Sequence, residues 1–169
     1  MDIIEFAMQM ELDGKAFYEK NAATATDPEL KKMLTMLAEE EDRHYNLFKR
    51  LKEGKTPLAI QGINARTTTL NNAKNIFQEL SDRQEQDSFS QDVLSVWTKA
   101  LRIEEKAEKF YREKAETEKD SEYKKLLNLI ADEERNHINM IDGVLTYLKY
   151  PDTFADSAQF KNFMSWEGH

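Results

Sequence analysis

No cysteine occurs anywhere in the 169 residues. A disulfide framework, a zinc ribbon, an iron–sulfur cluster and a four-thiolate iron centre are therefore excluded from this chain. Glycine and proline are scarce, at 5 and 3 residues, which disfavours a sandwich or barrel with its many turns. No stretch approaches the roughly 18 consecutive apolar residues of a membrane-spanning helix. The opening Met-Asp-Ile-Ile-Glu lacks both the basic region and the apolar run of a secretion signal. The expectation is a cytoplasmic protein with no membrane partner. Basic residues are outnumbered, 24 Lys and Arg against 32 Asp and Glu, for a net charge of −8. That balance argues against nucleic acid as a partner, because a phosphate backbone demands a basic surface.

What is present is a chain 40% apolar and 33% charged, long enough for one well-buried domain and too short for two ordinary ones. Apolar residues recur with helical period in four long segments, about 2–24, 28–53, 90–118 and 121–150. Asp27-Pro28-Glu29 reads as a helix start, Asp120 or Ser121 as another, and Gly54 with Pro57 as a stop. Short links make each successive pair an antiparallel hairpin. Residues 54–89 form the one long crossover, with a Thr67-Thr68-Thr69 cap signal and a short helical run over 70–80. A 22-residue helix is about 33 Å long, so some 35 residues cross it with length to spare. The second hairpin can return beside the first with its neighbour helix parallel. The expected fold is all-α: a four-helix bundle over residues 1–150, and a tail over 151–169. Phe160, Phe163, Met164 and Trp166 give that tail an amphipathic stretch that would pack on the bundle or on a partner subunit.

The strongest pattern is a repeat at a constant offset of 93 positions. Glu11 and Tyr18 return as Glu104 and Tyr111, and Glu41 and His44 return as Glu134 and His137. The repeat runs without a gap through Asp27/Asp120, Leu34/Leu127, Ala38/Ala131 and Glu40/Glu133. Residues three apart lie on nearly the same helix face, so Glu41 with His44, and Glu134 with His137, can each address one point. All four glutamates interrupt an apolar stripe, where an unpaired carboxylate costs several kcal/mol. No Lys or Arg on those stripes is available to neutralise them. Two divalent cations would balance four carboxylates, with two neutral imidazoles completing the set. Carboxylate and imidazole without thiolate suits iron or manganese and tolerates zinc or cobalt. The neighbouring acids Glu39, Glu40, Asp42, Asp132 and Glu133 are left to solvent or to outer support of the ligands, and the terminal His169 has no role.

With Glu-x6-Tyr and Glu-x2-His each occurring twice over residues 2–53 and 90–149, the chain resembles the rubrerythrin branch of the ferritin-like diiron carboxylate proteins. Those bundles are the well-known instance of this ligand pattern. The resemblance implies two iron ions bridged by Glu41 and Glu134. Glu11 and Glu104 would be terminal carboxylates, His44 and His137 terminal imidazoles, and Tyr18 and Tyr111 hydrogen-bond donors to ligand carboxylates. Two departures stand out. The cysteine-bearing rubredoxin domain of typical rubrerythrins is absent. So is their extra glutamate three residues after the third-helix ligand, a position held here by Ala107, with Gly14 as its repeat mate and Glu108 one residue too far round. Gly14 and Ala107 either flank an opening to the metals or serve close helix packing.

The function expected from the resemblance is a non-haem diiron oxidoreductase that reduces hydrogen peroxide or dioxygen. Its electrons would come from a separate carrier such as rubredoxin, and its assembly would be a homodimer. The rivals are an iron-binding or ferroxidase-type protein and a purely structural dimetal site.

Overall fold

A computed structural model describes residues 2–55, 59–83 and 89–167; Pro57 and His169 lie outside them. Among the described residues all regular structure is helical: α1 (Ile3–Thr24), α2 (Pro28–Lys52), α3 (Ala59–Ser81), α4 (Gln91–Thr117), α5 (Ser121–Lys149), a 3-10 turn (Pro151–Asp156) and α6 (Ala158–Ser165). The starts are capped as the side chains dictate. Asp27 accepts from the amides of Glu29 and Leu30 with Pro28 in the first turn, Asp120 from Glu122 and Tyr123, and Ser90 from Val93. Gly54, at φ +75°, ends α2; its amide reaches Leu51 O and that of Lys55 reaches Arg50 O. That left-handed residue satisfies two orphan carbonyls where a Cβ would be strained.

Helices α1 and α2 form one antiparallel hairpin and α4 and α5 the other. Across the repeat, α1 packs on α4 and α2 on α5. These facing helices run antiparallel. Tyr18 meets Glu104 while Glu11 meets Tyr111, so advancing along one helix retreats along the other. The parallel relation expected of the returning hairpin falls instead on α2 and α4, which sit diagonally and do not pack together. A two-fold axis perpendicular to the helices, exchanging the hairpins, produces this arrangement.

The crossover holds more structure than the sequence suggests. Helix α3 starts at Ala59 and runs through Thr67-Thr68-Thr69. A threonine costs at most about 0.7 kcal/mol against Ala in a helix. Three do not stop a helix whose continuation buries Leu70, Ala73, Ile76, Phe77 and Leu80. Helix α3 lies over α2 and α5. The tail packs on the same face: Phe77 meets Phe163 at 4.7 Å and Phe154 at 6.0 Å, and Phe154 and Phe163 are buried. Each bundle helix passes from one apolar cluster to another, as α1 does between Ala7 and Tyr18 and α5 between Ile130 and Ile141. The polar residues of the repeat occupy the layer between the two clusters.

Candidate metal centre

Six side chains converge in that layer: Glu11 from α1, Glu41 and His44 from α2, Glu104 from α4, and Glu134 and His137 from α5. None is more than 3% exposed. They form two groups whose donor atoms lie within 4.8 Å of one another, Glu11–Glu41–His44–Glu134 and Glu41–Glu104–Glu134–His137. Glu41 and Glu134 belong to both. Both imidazoles aim Nδ1 at the carboxylates. For His44 the distances are 3.0 Å to Glu134 and 3.4 Å to Glu11; for His137 they are 3.3 Å to Glu134, 3.5 Å to Glu104 and 3.8 Å to Glu41. The two rings stack at 5.8 Å. All six residues predicted as ligands are therefore brought together.

The donor atoms fit a pair of cations. Glu11 Oε2, Glu41 Oε1, Glu104 Oε2, both Glu134 oxygens and both histidine Nδ1 atoms are buried without a hydrogen-bond partner. Buried polar atoms are normally satisfied; these seven, all from the six converging residues, are not. Protonation tells the same story. Burial, with Glu11 and Glu104 alongside, pushes the Glu41 carboxyl well above its ordinary range, and burial with Glu104 and Glu11 raises Glu134 to about 8. Burial alone would lower the imidazoles. Carboxylates override it, Glu134 and Glu11 holding His44 well up and Glu104 holding His137 at about 10. Burial opposes ionisation of Glu104 too, yet the His137 imidazolium holds it at about 2. In the metal-free chain protons occupy places where cations would balance the charge.

Gly14 explains how Glu41 reaches the centre. A Cβ built there would stand 2.7 Å from Glu41 Oε2 and 3.3 Å from its Cδ. Of the two alternatives for Gly14, the space is thus filled by the Glu41 carboxylate. Ala107, its repeat mate, is buried and brings no carboxylate. Glu108 is absent from the ligand groups and pairs with Arg135 at 2.7 Å.

Around this set, each tyrosine donates across the repeat, Tyr18 to Glu104 Oε1 at 2.5 Å and Tyr111 to Glu11 Oε1. Burial and the adjacent carboxylates push both phenols well up, so they act as donors. The acids next to the ligands divide sharply. Glu39 and Asp132 are exposed and Asp42 pairs with Lys15 at 2.8 Å, whereas Glu40 and Glu133 are buried. Glu133 contacts His44 Nε2 at 2.6 Å. Arg43 bridges Glu133 and Glu40, the latter at 2.8 Å, and Thr69 of α3 donates to Glu40 at 2.6 Å. Arg43 and Thr69 escape a reading of the sequence. The signal for Arg43 is a break in the repeat, since its counterpart 93 positions on is Asn136. Thr69 carries none, because only the lie of α3 brings it there.

Comparisons with known proteins give one match. Searches among curated proteins and among solved structures find none. A scan of family models matches residues 1–52 and 95–165 to that of rubrerythrin. The two matched stretches contain all six converging residues and both tyrosines, and the segment between them holds the crossover and the first turn of α4. The chain belongs to the rubrerythrin family.

Proposed function

We propose that the chain is a non-haem diiron oxidoreductase that reduces hydrogen peroxide or dioxygen. The observation that carries this reading is the overlap of two four-residue ligand groups on Glu41 and Glu134. A pair of carboxylates common to both groups is what two adjacent metals require. Glu41 and Glu134 would bridge, with Glu11 and His44 completing one position and Glu104 and His137 the other. Bound iron would supply one electron per metal to the oxidant.

The residues around it serve that chemistry. Two apolar clusters flank the polar layer and exclude bulk water. Tyr18 and Tyr111 keep their phenol protons, donate those O–H groups to Glu104 and Glu11, and fix the two carboxylates in orientation. Without cysteine the chain holds no thiolate electron relay, so a separate donor such as rubredoxin would restore the reduced state. Among the described residues no helix is long and apolar enough to cross a membrane.

The test is anaerobic reconstitution with ferrous iron followed by spectroscopic titration with peroxide and with oxygen. Uptake of two irons per chain and sustained peroxide or oxygen consumption with an added reductant are expected. The buried Ala107, where an additional carboxylate is missing, favours a second reading, an iron-binding or ferroxidase-type protein. Oxidation without steady-state turnover, or iron loading beyond two per chain, would select it.

A further inference from the structure

The two halves of the centre are not equally supported. Each histidine turns Nδ1 inward, so each must place Nε2 against something outside the ligand set. For His44 that partner is Glu133, at 2.6 Å. By the repeat, the partner of His137 should be Glu40, but that distance is 3.9 Å, beyond hydrogen-bonding reach. The cause lies in Arg43. Its guanidinium takes Glu40 Oε2 at 2.8 Å, while the hydroxyl of Thr69 takes Oε1 at 2.6 Å. Both oxygens of Glu40 are thereby engaged away from His137. The same guanidinium binds Glu133 Oε2, the very oxygen that meets His44. On the other side of the pseudo-two-fold stands neutral Asn136. Beside His137 lies a cavity of about 10 Å³, bordered by Glu40, Thr69, Asn136 and Trp166. That is room for about one water.

We propose that Arg43 is a positioning residue that makes the two metal positions unequal, the one at His44 being the tighter and the one at His137 the weaker. The inference rests on the dimetal reading above. A ligating imidazole whose outer N–H is held by a carboxylate is fixed in tautomer and direction and is a stronger donor. Losing such a partner typically lowers metal affinity about 10- to 100-fold. His44 has that partner and His137 does not. The positive charge of Arg43 does not reverse the order, because the two carboxylates it touches cancel it. Both positions otherwise present one terminal glutamate, one histidine and the same two shared glutamates. The difference therefore arises outside the ligands, from one residue in which the repeats disagree.

The experiment is an anaerobic titration of the metal-free, full-length protein with cobalt(II), followed by calorimetry and by visible absorption. The native chain should bind two cobalt ions in steps about 10- to 100-fold apart. His137→Ala should abolish the weaker step and His44→Ala the tighter one. Arg43→Asn should draw the two steps together. The exchange variant Arg43→Asn with Asn136→Arg should reverse the assignment, so that His137→Ala then removes the tighter step. A role confined to holding the helices together would not produce that reversal. Circular dichroism checks that the exchanged chain folds; if it does not, the two histidine variants in the native background still decide the order. Two equal steps in the native chain, or a tighter step that belongs to His137, would overturn this inference alone. A chain that binds no cobalt would overturn the dimetal reading together with it.

Discussion

Replacing Gly14 by alanine sets the fold against the metal site. Alanine is favoured over glycine within a helix by about 0.8–1 kcal/mol, and Gly14 lies in the middle of α1. The new Cβ would stand 2.7 Å from Glu41 Oε2, where ordinary contact begins at 3.4 Å. The carboxylate must therefore retreat by about 0.7 Å, the difference between those distances. In the metal-free chain this is cheap, because the obstructing atom is the end of a rotatable side chain. With metal bound it is not, since ligand distances tolerate only about 0.2 Å. A bridging carboxylate displaced that far weakens both positions, and about 10- to 100-fold in affinity, or about 1.4–2.8 kcal/mol, is expected. The assay pairs thermal melts of the metal-free protein with metal-binding isotherms. Gly14→Ala should leave the metal-free melting temperature unchanged or slightly raised and lower metal affinity. Metal binding unaltered, with the metal-free fold destabilised, would show that Gly14 serves helix packing and not Glu41.

Four further outcomes are expected. Glu134→Ala should remove a shared ligand and with it most of the metal. Full two-metal occupancy by elemental analysis would refute the bridging role. The metal-free protein should be most stable near about pH 5. Folding raises the Glu134 carboxyl from 4.5 to about 8, so stability falls as pH climbs through that interval; His137, raised from 6.5 to about 10, adds a loss that continues upward. Glu104 and Glu133, held at about 2, contribute stability that is present above 4.5 and lost as pH falls toward 2. Melting temperatures between pH 3 and 9 that rise steadily with pH would contradict these signs. Metal binding displaces the same protons and should therefore tighten as pH rises. Finally, Asp27 and its repeat mate Asp120 both cap helices, but Asp27 also holds Arg83 through two contacts, at 2.6 and 2.9 Å. Urea unfolding should show about 1 kcal/mol lost for Asp120→Ala and about 2 kcal/mol for Asp27→Ala, and equal losses would assign Arg83 no stabilising part.

The helical class, the four bundle helices and the six converging side chains were all legible in the sequence. The reason is periodicity. Helical spacing alone puts Glu41 and His44, or Glu134 and His137, on one face, and the offset of 93 says that both hairpins present the same face. Charges set into apolar stripes mark themselves as partnered, because nothing else makes their burial tolerable. What periodicity cannot express is how separate helices approach one another. The antiparallel facing of α1 with α4 and of α2 with α5 came from the packing. So did the extension of α3 through Thr67-Thr68-Thr69, since local propensities there are too small to fix a boundary. The division of five neighbouring acids into exposed Glu39 and Asp132, half-buried Asp42 and buried Glu40 and Glu133 depended on which face each helix turned to its neighbour. The sequence by itself determined which atoms can hold two metals. Only the tertiary structure decided that Arg43 and Thr69 draw Glu40 from His137 while Glu133 stays on His44, because Thr69 meets Glu40, and Glu133 meets His44 and Arg43, across 29 to 90 positions and only when α3 and α5 close over α2.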